Sequence, residues 1–194
     1  MRDTVIVFAR APRLGAVKRR LGRRIGARAA VRFHRATLCR LLRGLAAERR
    51  FRTVLALTPD SARLRVPARV VRMGQGQGDL GARMGRALGR FPRGRAAIVG
   101  SDIPAAGASD LLAAFCALGR ADAVFGPAED GGYWLVGLGP RRPSRPFAKV
   151  RWSSPHALAD TLANFAGRRV AMLRRLGDVD SAEDWLRLPA RWQG

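Results

Sequence analysis

The chain has 194 residues, 47 % of them hydrophobic, and carries 37 Lys and Arg against 14 Asp and Glu, a formal net charge of +23. This length and apolar content suit one globular domain with a sizeable core and exclude a disordered chain. No apolar run approaches the roughly 18 residues of a membrane span. Met1 to Phe8 shows no signal-peptide pattern, so a cytoplasmic protein is expected.

Taken in order, short apolar runs alternate with helical patterns. Thr4 to Ala9 reads as a buried strand, and Val17 to Arg50 has helical periodicity with a break at Gly26. Thr53 to Leu57 and Ala68 to Met73 read as strands. A glycine-rich loop, Gly74 to Gly81, leads into a helix ending near Phe91. Ala96 to Val99 is a fourth strand, followed by a helix from about Ser109 to Leu118. Ala123 to Phe125 and Tyr133 to Gly137 are a fifth and a sixth strand. A helix at Pro155 to Phe165, a strand at Arg169 to Leu173 and a short helix at Ser181 to Leu188 complete the pattern. This alternation predicts an α/β fold with a mainly parallel sheet and helices on both faces. Ligands then bind beyond the C-terminal strand ends. Pro140 to Pro146, rich in Pro and Arg, is expected to be a mobile loop. Cys39 and Cys116 fall in apolar-periodic segments and read as core thiols.

The basic charge admits three readings: solvated surface, a funnel for an anionic substrate, or nucleic-acid binding. The bases are dispersed along the chain, and all but Lys18 and Lys149 are Arg, which favours surface. A nucleic-acid module also lacks stacking residues, with one Tyr and four Trp.

Carboxylates are scarce, so those at strand ends stand out. Asp102 in Gly100-Ser101-Asp102-Ile103-Pro104 is presented at the end of the fourth strand. Pro104 and Gly107 delay the next helix, which makes Asp102 a better ligand for Mg²⁺ or Mn²⁺ than a helix cap. Near the C-terminus, Ser181 and Asp184 read as a helix-capping pair. Asp178 and Asp180 precede that cap and could close a metal shell opposite Asp102. Glu129 and Asp130 lie in a Pro/Gly turn between two apolar runs, where either could orient or deprotonate an acceptor hydroxyl. The turn from Ala11 to Leu21 brings Lys18 and Arg20 behind backbone N–H groups that could hold a pyrophosphate, although no Walker ending is present. In the Gly74 to Gly81 loop, Gln75 and Gln77 could read a base edge, while Asp79 could simply cap the helix.

The motifs Ala11-Pro-x-x-Gly-x-x-Lys18-x-Arg20-Leu21, Gly78-Asp-Leu-Gly-x-Arg-Met84, Gly100-Ser-Asp-x-Pro104, Gly126-Pro-x-Glu-Asp-Gly-Gly-Tyr133 and Asp178-Val-Asp-Ser-x-Glu-Asp184 span nearly the whole chain. In this order they resemble the small bacterial GT-A-fold transferases labelled arsenosugar-biosynthesis or radical-SAM/selenodomain-associated glycosyltransferases. These are relatives of the molybdenum-cofactor and phospholactate guanylyltransferases. The resemblance implies a three-layer α/β/α, GT-A (nucleotide-diphospho-sugar transferase) fold over residues 1–194. Its nucleotide half would lie at about 1–104 and its acceptor half at about 105–194. It implies a nucleotide sugar or nucleoside triphosphate as one substrate and a small molecule as acceptor. Arg10, Pro12, Gly15, Lys18 and Arg20 would face the nucleotide phosphates, with Gln77 and Gly81 near the base. Glu129, Asp130, Gly131, Gly132 and Tyr133 would face the acceptor. Asp102 and Asp180 would hold Mg²⁺ or Mn²⁺, and Lys18, Asp102 and Asp130 would be catalytic. Glycosyl transfer is the favoured reaction and nucleotidyl transfer the alternative. The chain departs from the family at Arg19, where relatives show Thr, and at Ile103, where they show a smaller residue.

Overall fold

In the computed structural model, which describes residues 2–189 and Trp192, the first strand is a hydrophobic run buried on both faces. This β1 (Asp3–Arg10) pairs in parallel with β2 (Phe51–Thr58) on one side and β4 (Ala96–Gly100) on the other. β3 (Val70–Gly74) extends the sheet beyond β2. β6 (Tyr133–Leu138) lies between β4 and β5 (Ala123–Pro127), and β7 (Val170–Met172) closes the other edge. The order is β3-β2-β1-β4-β6-β5-β7, an α/β sheet of seven strands.

Six strands run the same way and β6 alone is reversed, pairing antiparallel with both neighbours. The reason is loop length. Residues 128–132 are too few for a parallel crossover, which takes about a dozen residues or more. β5 and β6 must therefore form a hairpin, and its turn lands at the edge where β1 and β4 end. In register terms, Leu135 pairs with both Val99 and Gly126, so the turn carrying Asp130 rises beside the loop carrying Asp102.

The helices cover both faces. α1 (Arg19–Ile25) and α2 (Ala27–Ala47) are separated by Gly26, as the break in periodicity predicts. Along α2, Ala30, Phe33, His34, Thr37, Leu38, Leu41, Leu42 and Leu45 are buried at three- and four-residue spacing. With α4 (Ala108–Ala117) this helix packs on Val5, Val7 and Val99. On the opposite face, Ile6 and Ile98 meet α3 (Leu80–Gly89) and α5 (Ala157–Ala163). A third cluster packs Leu21 of α1 and Phe33 of α2 against Val179. That cluster draws the segment before α6 (Ala182–Leu186) back to the N-terminal half.

Two sequence expectations are corrected. Cys39 is only partly buried and Cys116 is exposed, because apolar neighbours on an amphipathic helix do not put every position on the inner stripe. The Pro140 to Pro146 segment is pinned rather than loose. Arg142 donates hydrogen bonds to the carbonyls of Leu88, Phe91, Gly94 and Gly139 at 2.8–3.1 Å, closing the end of α3. Among the described residues, no helix is long and apolar enough to cross a membrane.

Candidate active site

The site forms where β1, β4, the β5–β6 turn and the segment after β7 converge. Lys18 Nζ lies 2.6 Å from Asp180 Oδ1 and 2.9 Å from Asp102 Oδ2. The lysine side chain is 4 % exposed, while the carboxylates are 37 % (Asp102) and 48 % (Asp180) exposed. The ammonium is thus enclosed and the acids keep one side toward the cleft. Lys18 begins α1 in the left-handed conformation, φ 47° and ψ 44°. That costs a non-glycine residue about 1 kcal/mol, which two ion pairs offset.

The protonation states follow from these contacts. Burial alone would lower the Lys18 pKa, but Asp102 and Asp180 outweigh it and hold it above the ordinary value. Burial would raise the Asp102 carboxyl, yet the lysine beside it keeps it below the ordinary carboxylate range. At Asp178 the relief that Lys18 gives is outweighed. Burial, reinforced by the charge of Asp180, pushes it up to about 6.

Each of Asp102, Asp178 and Asp180 offers a carboxylate oxygen within 4.8 Å of the others. Three hard oxygen donors suit Mg²⁺ or Mn²⁺, which take carboxylates together with substrate phosphate and water. The donor set fits such an ion, and the Lys18 ammonium already shows that the cluster accommodates positive charge. Asp180 is held in place by the next helix. Asp184 Oδ2 accepts from the backbone N–H groups of Asp180 at 3.2 Å and Ser181 at 2.8 Å, and Ser181 Oγ accepts from Asp184 N at 3.1 Å. The Ser181–Asp184 pair is the capping pair read from the sequence.

Two cavities meet at this cluster. The first, about 500 Å³, lies over the ends of β1 and β2 and is lined by Arg10, Lys18, Arg19, Arg20, Arg83 and Asp180, among others. The second, about 400 Å³, runs toward the β5–β6 turn and includes Asp130, Gly132, Tyr133 and Asp178. Asp102, Trp152 and Ser153 line both.

Of the nucleotide residues expected from the sequence, Arg10, Lys18 and Arg20 line the first cavity; Pro12, Gly15, Gln77 and Gly81 do not. Gln77 is exposed on the glycine-rich loop. Gly81 serves packing: a β-carbon there would come within 2.9 Å of the Trp152 ring and 3.0 Å of Phe147 Cβ. Gly15 lines a smaller hollow beside Arg23 and Ala27. Gln75 is buried and its amide is spent internally. It donates to the carbonyls of Ala9 (3.1 Å) and Ala56 (2.8 Å) and accepts from Arg83 (2.9 Å). Asp79 takes the modest alternative and caps α3, accepting from Ala82 N at 2.7 Å.

On the acceptor side, Asp130, Gly132 and Tyr133 line the second cavity, while Glu129 and Gly131 do not. Glu129 is exposed and sits against Gly177. Gly131, at φ 85°, receives the start of α5: a β-carbon would fall onto the Pro155 carbonyl and within 2.6 Å of Pro155 Cα. Burial holds the Tyr133 phenol above its usual pKa, so it stays neutral. Asp130 Oδ1 accepts from Gly132 N at 2.9 Å, which fixes the carboxylate at the cavity wall.

Sequence reading missed Arg19 and Arg83 as wall residues, and His34. His34 Nε2 donates to the Arg10 carbonyl at 3.0 Å, and Nδ1 is buried with no partner among the described residues. Burial keeps this imidazole below its ordinary pKa. Only its place on the buried stripe of α2 could have drawn attention to it.

Residues 41–154 match the family described as "Uncharacterized protein conserved in bacteria (DUF2064)". The chain belongs to this family. No curated protein matches the DUF2064 chain. Among solved structures it is similar to a "putative nucleotide-diphospho-sugar transferase" from Desulfovibrio desulfuricans G20. Identity is 29 % and the TM-score 0.84, with 93 % of this chain and 84 % of that one covered. It shares its fold with 4-diphosphocytidyl-2C-methyl-D-erythritol synthase from Anaerococcus prevotii DSM 20548, at 10 % identity, TM-score 0.61 and coverage of 94 % and 92 %. The same holds for Rv0371c from Mycobacterium tuberculosis H37Rv in complex with manganese, at 18 % identity, TM-score 0.53 and coverage of 97 % and 98 %. The sheet is thus the nucleotide-diphospho-sugar transferase fold expected from the motifs.

Proposed function

We propose that this protein is a metal-dependent transferase that uses a nucleotide substrate, transferring a glycosyl group from a nucleotide-diphospho-sugar to a small acceptor. The observation that carries the reading is the cluster of Lys18, Asp102, Asp178 and Asp180 at the junction of two cavities, one rich in arginine. The likeness to the Desulfovibrio protein and the sequence motifs favour glycosyl over nucleotidyl transfer. In this reading residues of about 1–104 hold the nucleotide, helped by Trp152, Ser153 and Asp180, and residues of about 105–194 hold the acceptor, with Phe8, Leu80, Met84 and Ile103 sharing that wall.

Asp102, Asp178 and Asp180 would hold Mg²⁺ or Mn²⁺, which when bound would supply positive charge beside the diphosphate. Lys18 neutralises the same acids from the protein side and, with Arg10, Arg20 and Arg83 around the first cavity, favours the charge that builds on the leaving diphosphate. Asp130, at the wall of the second cavity, would accept the proton of an acceptor hydroxyl. A nucleic-acid role gains little support, since Trp134 is 3 % exposed and Trp152 is turned into the cavity walls.

Calorimetric titration of the protein with nucleoside di- and triphosphates and nucleotide sugars, with and without Mn²⁺, tests the reading. Binding of one nucleotide class that is strengthened by the ion is expected. Binding of none, in either condition, would overturn the proposal.

A further inference from the structure

The two cavities differ in charge. Five cationic side chains, Arg10, Lys18, Arg19, Arg20 and Arg83, and the imidazole of His34 line the first, beside Asp102 and Asp180. Among the described residues lining the second there is no Lys, Arg or His; its charged groups are Asp102, Asp130 and Asp178. In a chain with 37 Lys and Arg against 14 Asp and Glu, a cavity free of bases runs against the composition. Two arginines near its walls are committed elsewhere. Arg151 binds Asp160 at 2.8 Å, beside Trp152, and Arg174 binds Asp110 at 2.8 Å while its carbonyl accepts from Trp134 Nε1 at 3.2 Å.

Apart from Ser153 and Ser154, the remaining wall is aromatic and aliphatic. Phe8, Tyr133 and Trp152 line it with Leu80, Met84 and Ile103. Trp152 is set edge-on to Tyr133, with centroids 6.4 Å apart, and packs on Phe147 at 6.3 Å. Such a surface takes the C–H face of a ring or an alkyl chain, and the carboxylates accept hydrogen bonds from hydroxyls. A phosphomonoester needs cationic or N–H donors; away from the ion proposed on Asp102 and Asp178, it would meet Asp130 and the apolar wall instead.

Resting on the transferase reading, we infer that the second cavity selects a non-phosphorylated, hydroxylated small molecule with an apolar face. Phosphate groups are confined to the first cavity. The charge pattern therefore sets both the polarity of binding and the class of acceptor. It also separates glycosyl transfer to a neutral hydroxyl from nucleotidyl transfer to a phosphorylated acceptor.

The test titrates the protein calorimetrically with octyl β-glucoside and with glucose 6-phosphate, first alone and then saturated with Mn²⁺ and a nucleoside diphosphate. The neutral glucoside is expected to bind at least tenfold more tightly than the phosphorylated sugar. Asp130→Lys, its fold checked by circular dichroism, is expected to erase that preference by adding a base to the wall. Equal or tighter binding of glucose 6-phosphate to the unaltered protein, binding of neither probe, or an unchanged preference in Asp130→Lys overturns the inference. Titrations without nucleotide keep the two failures apart. A lack of nucleotide binding strikes the transferase reading, and a lack of neutral preference strikes this one.

Discussion

Lys18 and Asp180 are separated by 162 residues in the chain, and their side chains meet at 2.6 Å. The contact closes the two ends of the fold over one cleft. It also places a permanent cation among acids that would otherwise repel one another. Removing either sign therefore unbalances the site in a predictable direction.

Asp102→Asn leaves the enclosed Lys18 ammonium with one carboxylate partner instead of two. The substitution is expected to lower stability by about 1–3 kcal/mol, the range for losing a charged hydrogen bond at a buried partner. Mn²⁺ affinity should fall at least tenfold. Urea denaturation and Mn²⁺ calorimetry on the same preparation measure both.

Lys18→Met acts oppositely on metal and on nucleotide. Without the ammonium, Asp102, Asp178 and Asp180 lose their internal counter-charge, so Mn²⁺ should bind more tightly in the absence of nucleotide. Nucleoside diphosphate binding should weaken by tenfold or more in the absence of the ion, since the acids beside the first cavity lose the cation that neutralises them. Parallel titrations with the ion alone and the nucleotide alone separate the two effects.

Asp178 gives the metal-free protein a pH dependence. Its pKa rises from 3.8 unfolded to about 6 folded, because burial and then Asp180 disfavour its charge. A raised folded pKa means that the protonated acid favours the folded state. That stabilisation is complete below pH 3.8 and is lost as pH climbs through about 6. Thermal melts in chelator should show Tm falling over this window, with the Asp178 share of the fall absent in Asp178→Asn. Mn²⁺ should raise Tm more at pH 7 than at pH 5, because the ion competes with that proton.

Gly131→Ala forces a methyl against the backbone of Pro155 at a residue whose φ is 85°. Both the contact and the conformation oppose it, and a loss of about 2–3 kcal/mol is expected. Because Asp130 is the adjacent residue, the acceptor side should suffer while nucleotide binding persists. Denaturation and nucleotide calorimetry together test this.

Arg142→Ala removes four hydrogen bonds to carbonyls of Leu88, Phe91, Gly94 and Gly139. The end of α3 should fray, with a stability loss of about 1–3 kcal/mol. Arg142 lines neither cavity, so nucleotide affinity should stay within twofold of the unaltered protein. Hydrogen exchange at residues 88–94 locates the fraying.

Much of the fold was legible before any coordinates. Strand runs such as Thr4 to Ala9 are continuous and β-branched, and the stripe along α2 repeats every three to four residues. Glu129 and Asp130 show where legibility ends. They are neighbours in one turn and both exposed, yet only Asp130 lines the cavity, while Glu129 lies at Gly177. Gln75 and Gln77 divide likewise, one locked beneath the sheet edge and the other exposed. Alternate residues in a turn look alike in composition, and only backbone direction tells them apart.

By itself, the sequence determined the alternation of strands and helices and the presentation of scarce acids at strand ends, because periodicity and composition are local properties. Tertiary structure alone decided that Lys18 sits between Asp102 and Asp180, and that one cavity is lined by arginines and the next by none. Those outcomes depend on which distant segments the packing of Leu21 and Phe33 on Val179 brings together, and no short-range pattern encodes that distance.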